Sequence, residues 1–210
     1  MQHYAKVLCH SSILLGEDIF IDPYNIKGDY KAKVILITHN HYDHFSPKDI
    51  DKIISKDTLF IAPVDVAQEL KKLYKNKVIA LKPYQEVTLD EIKVETFPSY
   101  NVNKNFHKKE YNWLGYKIDY RDLTYAILGD CDENEDNRKI KCDVLLLPIG
   151  GFYTMDGVEA GRLAKKIAPK LAIPTHYNII VGSKKEEADF IRELDGKIDY
   201  EIHILSLIHI

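Results

Sequence analysis

Short apolar runs separated by polar clusters dominate the first half of the chain. Residues 5–23 contain apolar stretches on both sides of a polar turn at 16–18, which predicts two or three short strands. Compact apolar runs at 33–38 and 59–62 are typical of buried strands. Further strands are predicted over residues 78–81, 86–89 and 92–97.

Helical spacing of apolar residues occurs in four segments. Ser46-Pro47 marks one helix start, because proline is favoured in the first turn of a helix. The other helices are predicted over residues 64–74, 156–168 and 184–194. Around them the pattern predicts strands over residues 113–120, 123–128, 143–147 and 170–174 and a loop over residues 98–111. This order fits sheets covered by helices better than a bare β-sandwich.

Composition is that of a globular protein. The 210 residues are 45% hydrophobic and 29% charged, close to the average for soluble domains. The 29 Lys and Arg residues against 32 Asp and Glu residues give a net charge of −3, so no nucleic-acid partner is expected. The apolar runs are too short to cross a membrane, and the 3 scattered cysteines form no disulfide framework. We therefore expect a cytoplasmic protein.

No linker-like segment divides the chain. The sequence predicts a single domain over residues 1–204, and the apolar segment that begins at residue 202 could contribute a final strand. Residues 205–210 match no feature that can be placed and are interpreted as a tail that could be non-native.

The strongest chemical signal is the segment 38–44, which reads THNHYDH directly after a predicted buried strand. Three of the 9 histidines fall within it, together with one carboxylate. Imidazole nitrogen and carboxylate oxygen are common zinc ligands. A tight loop after a strand can aim His39 and His41 one way and Asp43 and His44 the other. The spacing therefore suits two metal ions a few ångströms apart.

This segment resembles the HxHxDH motif of the metallo-β-lactamase superfamily, and the resemblance covers roughly residues 1–180. Further segments that match in order are residues 9–12 with 19–24, 128–130, 148–156 and 173–177. Residues 148–156 are similar to a subgroup of small metal-dependent hydrolases that includes the ascorbate-6-phosphate lactonases. The resemblance implies an αββα sandwich, in which two mixed sheets are flanked by helices.

The resemblance also implies two divalent metal ions, with zinc expected and manganese or iron as alternatives. His39 and His41 would hold the first ion, and the second would be held by Asp43, His44 and His176. Asp130 would bridge the two ions. A metal there also has a physical reason, because Asp130 ends an apolar strand where an unpaired carboxylate would be costly to bury.

One expected ligand is missing. Where the superfamily usually supplies a third histidine to the first ion, this chain has Asn101. The first ion could then bind loosely, recruit His107 from the same loop, or be a harder ion such as manganese. His107 could equally be a solvated loop residue. Phe152 is a second departure, because relatives often have histidine there.

Two further residues could support the ligands from behind. His10 could orient a ligand, as metal sites commonly require, or could be a strand-end histidine satisfied by the backbone. Asp22 could play the same supporting role or could be a turn residue before Pro23.

These residues predict a metal-dependent hydrolase acting on a small ester, lactone or phosphoester. Two bound dications would lower the pKa of a shared water from 15.7 toward about 7, and Asp43 and Asp130 are the expected catalytic residues that orient it. The alternatives are a phosphodiesterase or nuclease of the same fold and a non-catalytic metal-binding sensor, which Asn101 suggests. The lysines of the loop 103–109 would favour an anionic substrate if they line the pocket, or the loop is simply solvated. A homo-oligomer is an open expectation, since relatives are often oligomeric.

Overall fold

Two β-sheets stack between two pairs of helices in the computed structural model, which describes residues 1–90 and 92–203. Within these ranges the first sheet contains, in spatial order, β1 (Ala5–Cys9), β2 (Ser12–Leu15), β3 (Ile19–Ile21), β4 (Val34–Leu36), β5 (Leu59–Pro63) and β6 (Val78–Leu81). The strands of the second sheet are β7 (Glu86–Thr88), β8 (Ile92–Pro98), β9 (Leu114–Tyr120), β10 (Leu123–Ile127), β11 (Val144–Pro148), β12 (Leu171–Thr175) and β13 (Asp199–Tyr200). Their spatial order is β13-β12-β11-β10-β9-β8-β7.

Four α-helices cover the outer faces of the sheets. They are α1 (Pro47–Ile53), α2 (Val64–Leu73), α3 (Gly157–Ile167) and α4 (Lys184–Leu194). One apolar cluster lies between the sheets, a second joins the first sheet to α1 and α2, and a third joins the second sheet to α3 and α4. In β4, for example, Val34 and Leu36 face the central cluster and Ile35 faces the helices, as the alternation of a strand requires. The predicted αββα sandwich of two mixed sheets is therefore confirmed.

The strands that carry polar residues at their carboxyl ends share a direction within each sheet. In the first sheet β3 and β4 pair in parallel. Strand β1 runs in the same direction as β3, because β2 lies between them and is antiparallel to both. In the second sheet β8 and β10 flank the antiparallel β9, and β10, β11 and β12 are parallel. The carboxyl ends of these strands meet at one edge of the sandwich, which is where α/β sheets commonly bind ligands.

The end of the chain differs from the prediction. The last described strand, β13, comprises Asp199 and Tyr200, whereas Ile202 and His203 lie outside any strand. Strand β13 pairs in parallel with β12, and both of its residues are exposed. It therefore lacks the buried apolar pattern from which a strand can be predicted. The predicted tail over residues 205–210 lies outside the described residues. None of the four described helices has the length and apolarity that crossing a bilayer requires.

Helices α3 and α4 pack together through two glycines of α3, and α3 follows a loop next to the site described below. A Cβ at Gly157 would overlap the backbone carbonyl of Glu186, whereas a Cβ at Gly161 would lie 2.6 Å from the side-chain Cβ of Glu193. The first obstacle is backbone and the second is a Cβ, whose position is fixed by the backbone of α4, so neither can be relieved by a rotamer change.

We expect Gly157→Ala to lower the free energy of unfolding by about 3 kcal/mol, because the two helices must separate to admit the methyl group. Arg162→Ala is the control on the exposed face of the same helix, with a change within about 1 kcal/mol, since alanine's better helix propensity offsets the loss of a surface ion pair with Glu193. Urea denaturation of the metal-free protein measures both values. Equal losses for the two variants would contradict this account of the helix pair.

Candidate metal centre

The first group of candidate ligands brings together His39, His41, His107 and Asp130. Nδ1 of His41 lies 3.1 Å from Nε2 of His39 and 3.2 Å from Nε2 of His107. Oδ2 of Asp130 lies 3.3 Å from Nε2 of His107 and 3.9 Å from Nε2 of His39. Four ligands held about 2.0–2.1 Å from a tetrahedral zinc ion are separated by roughly 3.3–3.4 Å. The spacing of this group therefore fits one metal ion.

The second group brings together His10, Asp43, His44 and His176. Oδ2 of Asp43 lies 3.1, 3.7 and 3.6 Å from the Nε2 atoms of His10, His44 and His176, respectively. The carboxylate of Asp130 also reaches this group, with Oδ1 3.3 Å from His44 Nε2 and Oδ2 2.9 Å from His176 Nε2. Asp130 thus lies between the two groups.

Two buried atoms at the junction of the groups have no hydrogen-bond partner. Nε2 of His44 and Oδ1 of Asp130 are both unpartnered, although they lie only 3.3 Å apart and their residues are at most 3% exposed. Buried polar atoms are normally hydrogen-bonded, so such a pair needs an explanation. A cation between a nitrogen lone pair and a carboxylate oxygen satisfies both atoms. The donor set therefore fits a metal ion.

Asp22 sets the orientation of two of the imidazoles. Its Oδ2 lies 2.8 Å from Nδ1 of His44 and also accepts a 2.6 Å hydrogen bond from the hydroxyl of Thr38. Because that hydroxyl donates to Asp22, its oxygen is left to accept from Nδ1 of His39, 2.9 Å away. In the neutral form that metal ligation requires, both imidazoles then carry their proton on Nδ1, and both Nε2 lone pairs face the ligand groups. Asp22 therefore lies where the sequence analysis expected a supporting residue.

The carboxylates of the site require nearby positive charge. Burial opposes ionisation of Asp130, but the charges of His176 and His44 outweigh it and hold the pKa of this carboxyl well below its ordinary value. Burial also opposes ionisation of Asp43, yet hydrogen bonding to His10 and His176 lowers its pKa. In return, Asp130 and Asp22 overcome the effect of burial and raise the pKa of His44 well above its ordinary value. A dication would supply the same compensation.

Burial keeps three other imidazoles of the site neutral, those of His39, His41 and His10. Burial lowers the pKa of His39 well below its usual value and, to a lesser extent, the pKa of His41. Burial likewise lowers the pKa of His10 to about 4. Metal ligation needs the neutral imidazole, so at neutral pH these side chains are already in the form that binds a cation.

The loop after β8 supplies His107, and Asn101 lies behind it. The backbone N–H of Asn101 donates to the carbonyl of His107 at 2.8 Å, and its side-chain Nδ2 lies 3.2 Å from His107 Nδ1. The same Nδ2 donates to the carbonyl of Tyr153 at 2.8 Å. His107 is only 2% exposed, so the alternative of a solvated loop residue is wrong. The loop reverses direction between the two residues, and no residue pattern in the sequence reveals that reversal.

Four residues of the site have left-handed backbone conformations. The φ angles of His10, Asp22, His107 and His176 are 55°, 49°, 52° and 59°. Non-glycine residues rarely adopt this conformation, and such strain concentrates at functional sites. Gly150 adds a steric requirement, because a Cβ there would lie 2.7 Å from the carbonyl oxygen and 2.8 Å from the ring Nδ1 of His176.

Trp113 supports the first group, although no motif in the sequence marks it for this role. Its ring centroid lies 4.8 Å from that of His39 and 5.0 Å from that of His41. The indole N–H donates to Oδ2 of Asp65 at 3.0 Å, which fixes the orientation of the ring. The indole thus packs against the imidazoles of the first group.

The charged side chains of the loop face a different part of the surface. Lys104 forms an ion pair with Asp132, and Lys109 pairs with Glu135 at 2.8 Å. Both lysines line a surface groove of mixed acidic and basic residues, not the cavity above the candidate ligands. Lys104 and Lys109 therefore do not line the pocket, and the expectation of an anionic substrate loses the support of these two residues.

Known proteins with similar sequences and structures identify the family of this chain. The family model of the beta-lactamase superfamily domain matches residues 6–176. A UPF0173 metal-dependent hydrolase of Thermoplasma acidophilum is 32% identical over 192 residues, which cover 82% of this chain and 83% of the relative. A UPF0173 protein of Pyrococcus furiosus is 32% identical over 200 residues, covering 91% and 90%. A crystal structure from Parabacteroides distasonis ATCC 8503 has a TM-score of 0.81 and 31% identity, covering 95% of this chain and 91% of that one. From the family match and these identities, the chain belongs to the β-lactamase superfamily.

Proposed function

We propose that this protein is a hydrolase that uses two zinc ions to activate water against a small ester or lactone. The observation that carries the proposal is the pair of ligand groups joined by Asp130, each with spacing that fits one ion. The name of the Thermoplasma relative, a metal-dependent hydrolase, supports the reaction class. The narrower resemblance to ascorbate-6-phosphate lactonases stays a prediction.

In this proposal each residue of the two groups has a stated task. The first ion would be held by His39, His41 and His107, the second would be held by Asp43, His44 and His176, and Asp130 would serve both. His10 donates a hydrogen bond to Asp43 and holds that carboxylate in place, in line with their 3.1 Å separation. Three imidazoles around the first ion favour zinc over a harder ion such as manganese.

The two ions, when bound, supply a nucleophile at neutral pH and polarise the reacting carbonyl. The chain contributes the rest of the chemistry. Asp43 and Asp130 accept hydrogen bonds from the attacking water and orient it. Asp22 and Thr38 keep the ligating lone pairs of His44 and His39 directed inward. Trp113 shields the imidazoles from bulk water, which strengthens electrostatic interactions within the site.

The position of His107 also bears on the alternative of a non-catalytic sensor. That alternative depended on the missing third histidine at Asn101. In this proposal His107, which lies next to His41 and Asp130, serves as the third histidine ligand, and a weakened first site is then no longer expected.

Metal content tests the proposal directly. We expect roughly two zinc ions per chain by elemental analysis of protein purified without added metal, because each group offers a complete ligand set. Chelation should abolish hydrolysis of p-nitrophenyl butyrate, and added zinc should restore it. Full turnover by the chelated protein would overturn the proposal.

Removal of His107 separates the two ligand groups. We expect His107→Ala to retain about one zinc ion per chain, because only the first group loses a ligand. His3→Ala is the control, since His3 contacts Glu201 at 2.7 Å and belongs to neither ligand group. Unchanged zinc content in His107→Ala would exclude His107 as a ligand.

The role of Asp22 is tested by Asp22→Asn. An amide in place of the carboxylate donates to Nδ1 of His44, which moves the imidazole proton to Nε2 and blocks ligation. We expect the variant to stay folded and to bind the second zinc ion about 10–100-fold more weakly, as measured by competition with a chromophoric chelator. The exposed Asp29→Asn is the matched control. Equal zinc affinity in both variants would show that Asp22 does not set the imidazole orientation.

A further inference from the structure

The cavity above the candidate metal centre has uncharged walls. Its volume is about 280 Å³, at the lower end of the range for ligand pockets. Its floor consists of the site residues His41, Asp43, His107, Asp130 and His176. Its walls consist of Tyr42, Phe106, Tyr153, Ile180 and Val181. Beyond the floor, a substrate therefore meets aromatic and aliphatic side chains.

Aromatic rings extend the apolar wall to the rim of the cavity. The centroid of Tyr153 lies 4.8 Å from those of Phe106 and Phe152, and Phe106 lies 6.0 Å from Phe152. Phe152 is 70% exposed and Phe106 is 39% exposed. Exposed apolar groups clustered at a cavity mark a surface that binds another apolar group.

No lysine or arginine lines this cavity among the described residues. Lys104 is engaged with Asp132, and Lys109 with Glu135 and Asp136. Lys108 is exposed but is not part of the cavity wall. A phosphate or carboxylate on the far end of a substrate would therefore lose hydration without gaining a cationic partner, which is unfavourable.

From these walls we infer that the substrate group beyond the scissile bond is uncharged and apolar, a short aliphatic or aryl group, with Phe106 and Phe152 determining this specificity. The inference rests on the proposed function, because it concerns the same cavity. It excludes substrates with a distal phosphate, such as phosphorylated sugar lactones. The reacting carbonyl would face the metal centre, and the apolar group would lie against the aromatic rim.

Two esters of equal length test the inference. p-Nitrophenyl valerate ends in a methyl group, and mono-p-nitrophenyl glutarate ends in a carboxylate at the same position. We expect kcat/KM of the zinc-loaded protein to be at least about tenfold higher for the valerate, because only its end group can be buried without a partner. Zinc-free protein provides the background rate. Equal values, or preference for the glutarate, would overturn the inference.

Variants of the rim locate the origin of the preference. Phe106→Ala should raise KM for the valerate about fivefold with little change in kcat, since apolar contact is lost in substrate binding and transition state alike. Phe152→Lys should shift the ratio of kcat/KM values toward the glutarate by about fivefold, whereas Phe152→Leu should preserve it. Lys108→Ala should leave both esters unaffected. A glutarate preference that Lys108→Ala removes would assign specificity to the loop cation instead.

A binding measurement separates this inference from the proposed function. Pentanohydroxamic acid and glutaric monohydroxamic acid present the same metal-binding group with a methyl or a carboxylate end. Calorimetry on zinc-loaded protein should show at least about tenfold tighter binding of the pentano compound. If neither ester is hydrolysed but this preference holds, the proposed reaction fails and the apolar specificity stands. If the esters are hydrolysed without preference and the hydroxamates bind equally, the reaction stands and the specificity fails.

Discussion

One buried carboxylate, that of Asp22, determines what the histidines of this site can do. It bonds directly to His44 and reaches His39 through the hydroxyl of Thr38. The arrangement exists because β3 and β4 pair in parallel, and the backbone N–H of Asp22 continues that pairing by donating to the carbonyl of Leu36. The inner core of the first sheet thus fixes the protonation pattern of the site, and the site in turn explains why a carboxylate is buried there.

The sandwich brings distant parts of the chain together by strand direction. His10, Asp22, Asp130 and His176 all follow the carboxyl ends of strands that run the same way within their own sheet, although 166 positions separate the first from the last. The left-handed backbone at each of His10, Asp22 and His176 turns the chain sharply as it leaves its strand. Rigid strands therefore place the side chains, while short turns aim them.

Much of this could be read from the sequence, because apolar period and short motifs are local properties. The THNHYDH segment marks its own candidate ligands, and the apolar runs predict β6 and α4 with their observed bounds. His107 could not be assigned in the same way, since its position depends on how the loop from Asn101 folds back. The surface toward which the side chains of Lys104 and Lys109 point could not be predicted from the sequence either, because their acidic partners lie about 25–30 residues further along the chain. Such distant ion pairs leave no local pattern.

Adjacent residues of one loop serve two different purposes. Phe106 forms part of the wall of the cavity, and its neighbour His107 lies in the first ligand group. The backbone carbonyl of His107 is tied to Asn101, so the two side chains share one short anchored segment. Insertions or deletions between residues 101 and 107 would therefore move the cavity wall at Phe106 and the candidate ligand His107 together. During divergence of such proteins, a new loop that accepts a different molecule must therefore also rebuild a metal-binding position, which restricts the loop lengths that remain usable.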